Sequence, residues 1–178
     1  LAYSLDYDHF PLEKQLDTYK VRHLELDVFA DPEGGLYEKR RGLIAIGQNP
    51  ASGLRDLMEP GFKVLHIQDV DFLSHCLTLK ACLHQIKLWS AANPKHIPLF
   101  VQIEFKDSEI ADPLKLGFTK PYKADRVVMK DLDHEIRSIF AEDDLITPRW
   151  VQGAALSLES KILGSGWPSL SDCRGKVL

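Results

Sequence analysis

Five side chains stand out by type and spacing. In VRHLELDVFAD, residues 21 to 31, Glu25 and Asp27 alternate with Leu24, Leu26 and Val28. Alternation at the strand period of two puts both acids on one face of a β-strand. In PLFVQIEFK, residues 98 to 106, the same period places Phe100, Gln102, Glu104 and Lys106 on one face and Leu99, Val101, Ile103 and Phe105 on the other. His66 lies near the end of a further apolar run, FKVLHI, residues 62 to 67. Neighbouring carboxylates repel, so a face that carries three needs a cation, a shared proton or basic partners. An all-oxygen set of Glu25, Asp27 and Glu104 suits Ca2+ or Mg2+ better than Zn2+, which prefers histidine and cysteine. Histidine exchanges protons near neutral pH, and Lys106 is placed to face an anionic substrate. A divalent cation beside both suits phosphodiester cleavage, in which charge builds on the phosphoryl group and a proton must move.

Each residue also has a purely structural role open to it. A strand carboxylate is often a rim ion pair, Glu104 and Lys106 can pair with each other, and a single histidine is often satisfied in the framework. The coincidence of all five favours a site. His23 shares the face of Glu25 and reads as structural or supporting. His9, His75, His84, His96 and His134 fall on loops or helices and are expected to be solvated. Asp69 and Asp71 in HIQDVD are either supporting acids or loop caps, with caps favoured, and Asp31 with Gly34 and Gly35 reads first as a turn.

These residues need elements to position them. Pro11 is placed to start a short helix with Leu12, Leu16 and Tyr19 at helical spacing, leading into a strand at 21 to 29. Residues 38 to 61, rich in glycine and proline, form a long loop, and 62 to 67 a second strand. Ser74 is expected to cap a helix through about residue 92 that ends at Asn93 and Pro94. Residues 98 to 106 make the third strand, and Asp125 caps a helix carrying Val128, Leu132, Ile136 and Ile139. A short helix ends near Gly164 and a fourth strand begins at Lys176. Strands alternating with helices call for parallel pairing and an α/β fold. Polar groups near successive strand ends favour a TIM (β/α)8 barrel over a doubly wound sheet. A complete barrel takes roughly 250 residues, so 1–178 is expected to be one partial catalytic domain, the N-terminal part of a barrel.

Composition narrows the classes. With 178 residues, 44% hydrophobic and 27% charged, the chain can build a real core. A net charge of −4 argues against nucleic acid as a partner. No apolar run approaches the roughly 20 residues of a membrane span. Cys76, Cys82 and Cys173 have no metal-ligand spacing, and a six-residue separation in a helical segment turns Cys76 and Cys82 apart, so no bridge is expected.

Three stretches also resemble a family: LDYDHFPLEKQLDTYKVRHLELDVFADPEGGLY, FKVLHIQDVDFLSHCLTLKACLHQIKLWSAANPKHIPLFVQIEFKD and ILGSGWPSLSDCRGKVL. Together they are similar to the calcium-dependent phosphoinositide-specific phospholipases C of bacterial and fungal type. The resemblance implies a TIM-barrel phosphodiesterase with one Ca2+, cleaving phosphatidylinositol lipids at a membrane surface to diacylglycerol and an inositol phosphate, often cyclic. It implies Glu25, Asp27 and Glu104 as calcium ligands. It makes His66 the second catalytic histidine, which stabilises the phosphorane and protonates the leaving alkoxide, and it implies secretion. The family's HNSY-like motif, with the first catalytic histidine and an asparagine ligand, is expected before residue 1, and the inositol-binding half of the barrel after residue 178. Two alternatives stay open: a glycerophosphodiester phosphodiesterase acting on soluble diesters, and a degenerate domain that binds lipid headgroups or a partner without catalysis. Oligomeric state is left open by these residues.

Overall fold

The computed structural model describes residue 5 and residues 7 to 178. Its elements are α1 (Leu12–Asp17), β1 (His23–Phe29), β2 (Lys63–Val64), α2 (Leu79–Ala92), β3 (Phe100–Phe105), α3 (Arg126–Ile139), α4 (Pro148–Gln152), α5 (Leu158–Ser165) and α6 (Leu170–Cys173). The three strands form one sheet in the order β2-β1-β3. β1 and β3 run parallel, with Glu25 beside Gln102 and Asp27 beside Glu104.

Local chemistry explains most boundaries. Asp125 caps α3 by accepting the N–H groups of Val127 and Val128, as its position predicts. α2 begins later than expected: Thr78, not Ser74, is its cap and accepts the N–H of Ala81. The apolar face of the sheet, Leu24, Leu26 and Val28 with Val101, Ile103 and Phe105, packs against Leu79, Leu83 and Ile86 of α2 and Val128 and Leu132 of α3. Trp89 on α2 donates its indole N–H to Asp17 at 2.6 Å and so ties α2 to α1.

Four further expectations are corrected. The second strand is only Lys63–Val64, and it pairs antiparallel with β1, Val64 opposite Val28. The chain doubles back on itself there: Val64 and Leu79 donate to the carbonyls of Leu77 and Phe62, so residues 62–79 form a hairpin-like excursion, not one arm of a β-α-β unit. Cys76 and Cys82 are bridged, with Cα atoms 5.2 Å apart. Cys76 lies before the Thr78 cap, outside the helix, so helical angular spacing does not apply to the pair. His96 is buried, bonded to Ser90 Oγ at 2.8 Å, where solvation was expected. The expected fourth strand is a short pairing at the chain end, where Val177 bridges Leu99 and Leu145 in parallel.

Candidate metal centre

Parallel register assembles the site. Because Asp27 and Glu104 are direct neighbours in the ladder, their carboxylates meet on the polar face, and Glu25 joins them from one strand repeat away. One ligand oxygen from each of Glu25, Asp27 and Glu104 can be chosen so that all lie within 4.8 Å of one another. A calcium ion bound at about 2.4 Å bridges oxygens up to about 4.8 Å apart, so the spacing fits the ion.

Lys106 is the resident partner of these acids. Its Nζ lies 2.6 Å from Glu104 Oε1 and 3.3 Å from Asp27 Oδ2. Burial works against its charged form, but the bond to Glu104 and the charge of Asp27 outweigh it and hold the ammonium above the usual lysine range. Asp27 goes the other way: burial raises its carboxyl above the usual range despite the attraction of Lys106. Glu104 is exposed, and its hydrogen bond from Lys106 lowers it. Of the three ways to tolerate clustered acids, the residues present thus supply a basic partner. They do not satisfy everything: Asp27 Oδ1 is buried and has no hydrogen-bond partner. An oxygen-only donor set with an orphaned buried oxygen is what a hard divalent cation completes, and the residues fit Ca2+.

His66 stands past the end of β2, close enough for its charge to favour the ionised forms of both Asp27 and Glu104. Its Nδ1 is 2.9 Å from Asp71 Oδ2. A carboxylate only accepts, so Nδ1 carries the proton and Nε2 is the acceptor nitrogen of the ring. The two acids of HIQDVD therefore divide their work. Asp71 orients the histidine, while buried Asp69, at φ 64°, accepts the N–H groups of Arg41 and Thr119 and caps the loops, as favoured. Asp31 is more than a turn residue: buried beside Gly34 and Gly35, both at φ 79°, it pairs with buried Lys63 at 3.1 Å.

Gln102 was not among the candidates and belongs to the cluster, donating to Glu25 Oε2 at 2.5 Å. Its signal was present in the alternation that singled out Glu104. His23 is exposed beside Phe100 and takes no part in the acid cluster.

An α/β chain that gathers three carboxylates and a lysine on one sheet face, with a carboxylate-bound histidine near them, has the equipment to hold a hard divalent cation. A family model described as Ca2+-dependent phosphoinositide phospholipase C matches residues 1–178, and the chain belongs to that family. No curated protein sequence matches it. Among solved structures, a calcium-dependent phosphoinositol-specific phospholipase C from a Gram-negative bacterium, Pseudomonas sp, aligns with TM-score 0.58 and 23% identity over 93% of this chain and 48% of its own. The myoinositol complex of such a Pseudomonas enzyme gives TM-score 0.55 and 24% identity, over 93% and 48% of the two chains. A Ca2+-dependent phosphatidylinositol-specific phospholipase C from Streptomyces antibioticus gives TM-score 0.56 and 20% identity over 91% and 45%. The chain thus spans about half the length of these structures, which share its fold. No helix among the described residues is long and apolar enough to cross a membrane.

Proposed function

We propose that residues 1–178 are the N-terminal part of a (β/α)8 barrel phosphodiesterase that cleaves phosphatidylinositol to diacylglycerol and an inositol phosphate, cyclic or open. The observation that carries this reading is the 4.8 Å cluster of Glu25, Asp27 and Glu104 with its partnerless Asp27 oxygen, in a chain of a Ca2+-dependent family. Glu25, Asp27 and Glu104 would hold the calcium ion, which when bound would offset charge on the phosphoryl oxygens and lower the pKa of the attacking hydroxyl. Lys106, poised at the same cluster, faces the phosphate and offsets its charge. His66, held by Asp71 through Nδ1–H, serves in its doubly protonated form: its Nε2–H would bond the phosphorane oxygens and pass its proton to the leaving diacylglycerol alkoxide. The Cys76–Cys82 bridge supports an oxidising, extracytoplasmic setting.

Calorimetric titration with calcium, wild type against Asp27→Asn, tests the metal reading: saturable binding lost in the variant is expected, and equal binding in both overturns it. In the full-length protein, Glu25→Ala and His66→Ala should each cut phosphatidylinositol hydrolysis by at least about a hundredfold. Undiminished hydrolysis would falsify their roles, and a preference for glycerophosphoinositol over the lipid would move the substrate class to soluble diesters.

A further inference from the structure

At the end of the sheet where β1 and β3 begin, away from Asp27 and Glu104, the chain forms a cleft of about 340 Å3. α1 and the turn after it supply one wall, with Asp17, Lys20 and Arg22, and the end of α2 supplies the other, with Trp89, Asn93 and Lys95. Three cations therefore face one acid, in a chain whose net charge is −4. Asp17 is already engaged, accepting the Trp89 indole N–H at 2.6 Å. His96, also at the cleft, is committed at both ring nitrogens, to Ser90 Oγ and the Ile97 carbonyl. The Arg174 guanidinium, bonded to the Lys95 carbonyl at 2.8 Å, adds a further positive charge beside it.

Arg22 is held ready for an anion. Its guanidinium lies over the Trp89 ring at 4.9 Å, and one terminal nitrogen donates to the carbonyls of Leu16 and Val21 at 2.9 and 2.7 Å. That fixes the guanidinium plane and leaves Nε and the other terminal nitrogen without a hydrogen-bond partner among the described residues. A pinned fork with unspent donors suits the oxygens of a phosphate, because little side-chain freedom remains to be lost. Lys20 is the second sign. It sits at φ 56°, the left-handed backbone that favours glycine, in the turn that follows α1. A lysine held in that conformation costs stability, and a role in ligand binding accounts for its retention. Helix capping does not, because the last-turn carbonyls have other donors: Arg22 serves Leu16, and Asn93 serves Trp89 and Ser90. Among the described residues no carboxylate forms a salt bridge with Lys20, Arg22 or Lys95.

We propose that this cleft binds a small soluble phosphate monoester, whose charge of about −2 at neutral pH matches the excess of cations in the lining. Arg22 bonds the phosphate oxygens, and the exposed Lys20 and Lys95 close over them from the two walls. The test uses glycerol 3-phosphate, titrated by calorimetry into the full chain at neutral pH in the presence of a calcium chelator. The wild type should show saturable one-site binding, and Lys20→Gly/Lys95→Gln should bind at least about tenfold more weakly, since two charged contacts are lost. Lys20→Gly alone should unfold at a urea midpoint no lower than that of the wild type, because glycine accepts φ 56° without strain, so the loss of affinity is not a loss of fold. Lys106→Gln, at the metal centre, should bind glycerol 3-phosphate as the wild type does. No binding by the wild type, equal binding by the double variant, or loss confined to Lys106→Gln overturns the proposal. Because the buffer holds no free calcium and the probe is not a diester, these outcomes are independent of whether the chain hydrolyses phosphatidylinositol.

Discussion

Two lysine–carboxylate pairs lie a few residues apart, with Asp27 on β1 and Asp31 just past its end, and differ in everything but composition. Asp31 and Lys63 are closed. Both side chains are almost wholly buried, and the Lys63 ammonium spends its donors on Asp31 and the carbonyls of Glu59 and Gly61, at 3.1, 2.6 and 3.0 Å. The Asp31 oxygen also accepts the N–H of Leu36. Asp27 and Lys106 are open. They are part-exposed, 3.3 Å apart, shared with Glu104, and leave one Asp27 oxygen without a partner. A complete buried pair fixes the loop that follows the strand; an incomplete one leaves capacity for a ligand.

The largest effect should come from breaking the closed pair. Lys63→Met strands Asp31 in a dry site and is expected to cost about 3–5 kcal/mol in urea unfolding, as removal of one partner of a buried pair does. A loss below about 1 kcal/mol would mean that water reaches Asp31 and that the two pairs are not different in kind. The open pair should behave oppositely. Asp27→Asn is expected to shift unfolding in calcium-free buffer by less than about 1 kcal/mol. With calcium at a hundredfold over its Kd, the wild type should gain about 2.7 kcal/mol and Asp27→Asn nothing, read as denaturant midpoints with and without chelator.

The disulfide sharpens the same contrast, because it secures the base of the excursion that carries both Lys63 and His66. Reducing Cys76–Cys82 is expected to cost about 2 kcal/mol, given the short loop that it closes. Calcium affinity should stay unchanged, since Glu25, Asp27 and Glu104 sit on β1 and β3, outside that excursion. A fall in calcium affinity on reduction would show that the closed framework and the open site are one unit.

How much of this the sequence disclosed follows the range of the interactions. The E-x-D alternation and the pairing of Glu104 with Lys106 were visible because strand period is local, and the Asp125 cap because capping reaches only two or three residues. The antiparallel β2 was not visible. A short apolar run such as FKVLHI does not encode its direction of pairing, which here depends on its own return strand bonding through Leu77 and Leu79. The Asp31–Lys63 pair escaped for the same reason, joining residues 32 apart across a loop with no periodicity of its own. Helical spacing does not reach the bridge because α2 is capped at Thr78, one turn after Ser74, which leaves Cys76 in the bend before the helix. The family resemblance singled out Glu25, Asp27 and Glu104, whose carboxylates the structure clusters, but not Gln102 or the His66–Asp71 contact, which depend on register and on the turn between Ile67 and Asp71.

The smallest expected effect concerns a third buried acid, which tests whether a lone carboxylate behaves like the closed pair or the open one. Glu135 on α3 accepts the N–H of Phe62 at 3.0 Å, and an added Cβ at Gly61 would lie 2.2 Å from the same oxygen, so the contact is tight. Its other oxygen has no partner. Burial raises its carboxyl above the usual 4.5, against the Phe62 bond and the charges of Lys80 and Lys63 and together with the like charge of Asp131. An acid with a raised pKa binds its proton more tightly folded than unfolded, so stability falls as pH rises from 4.5 towards the folded-state value and is not regained above it. Glu135→Gln keeps an acceptor for Phe62 and removes the charge. Its unfolding free energy should match the wild type at low pH and exceed it, by about 1 kcal/mol or less, at neutral pH. An excess of the opposite sign would mean that Lys80, at 3.9 Å, and Lys63 stabilise the Glu135 charge more than burial penalises it, making Glu135 a third member of the closed class.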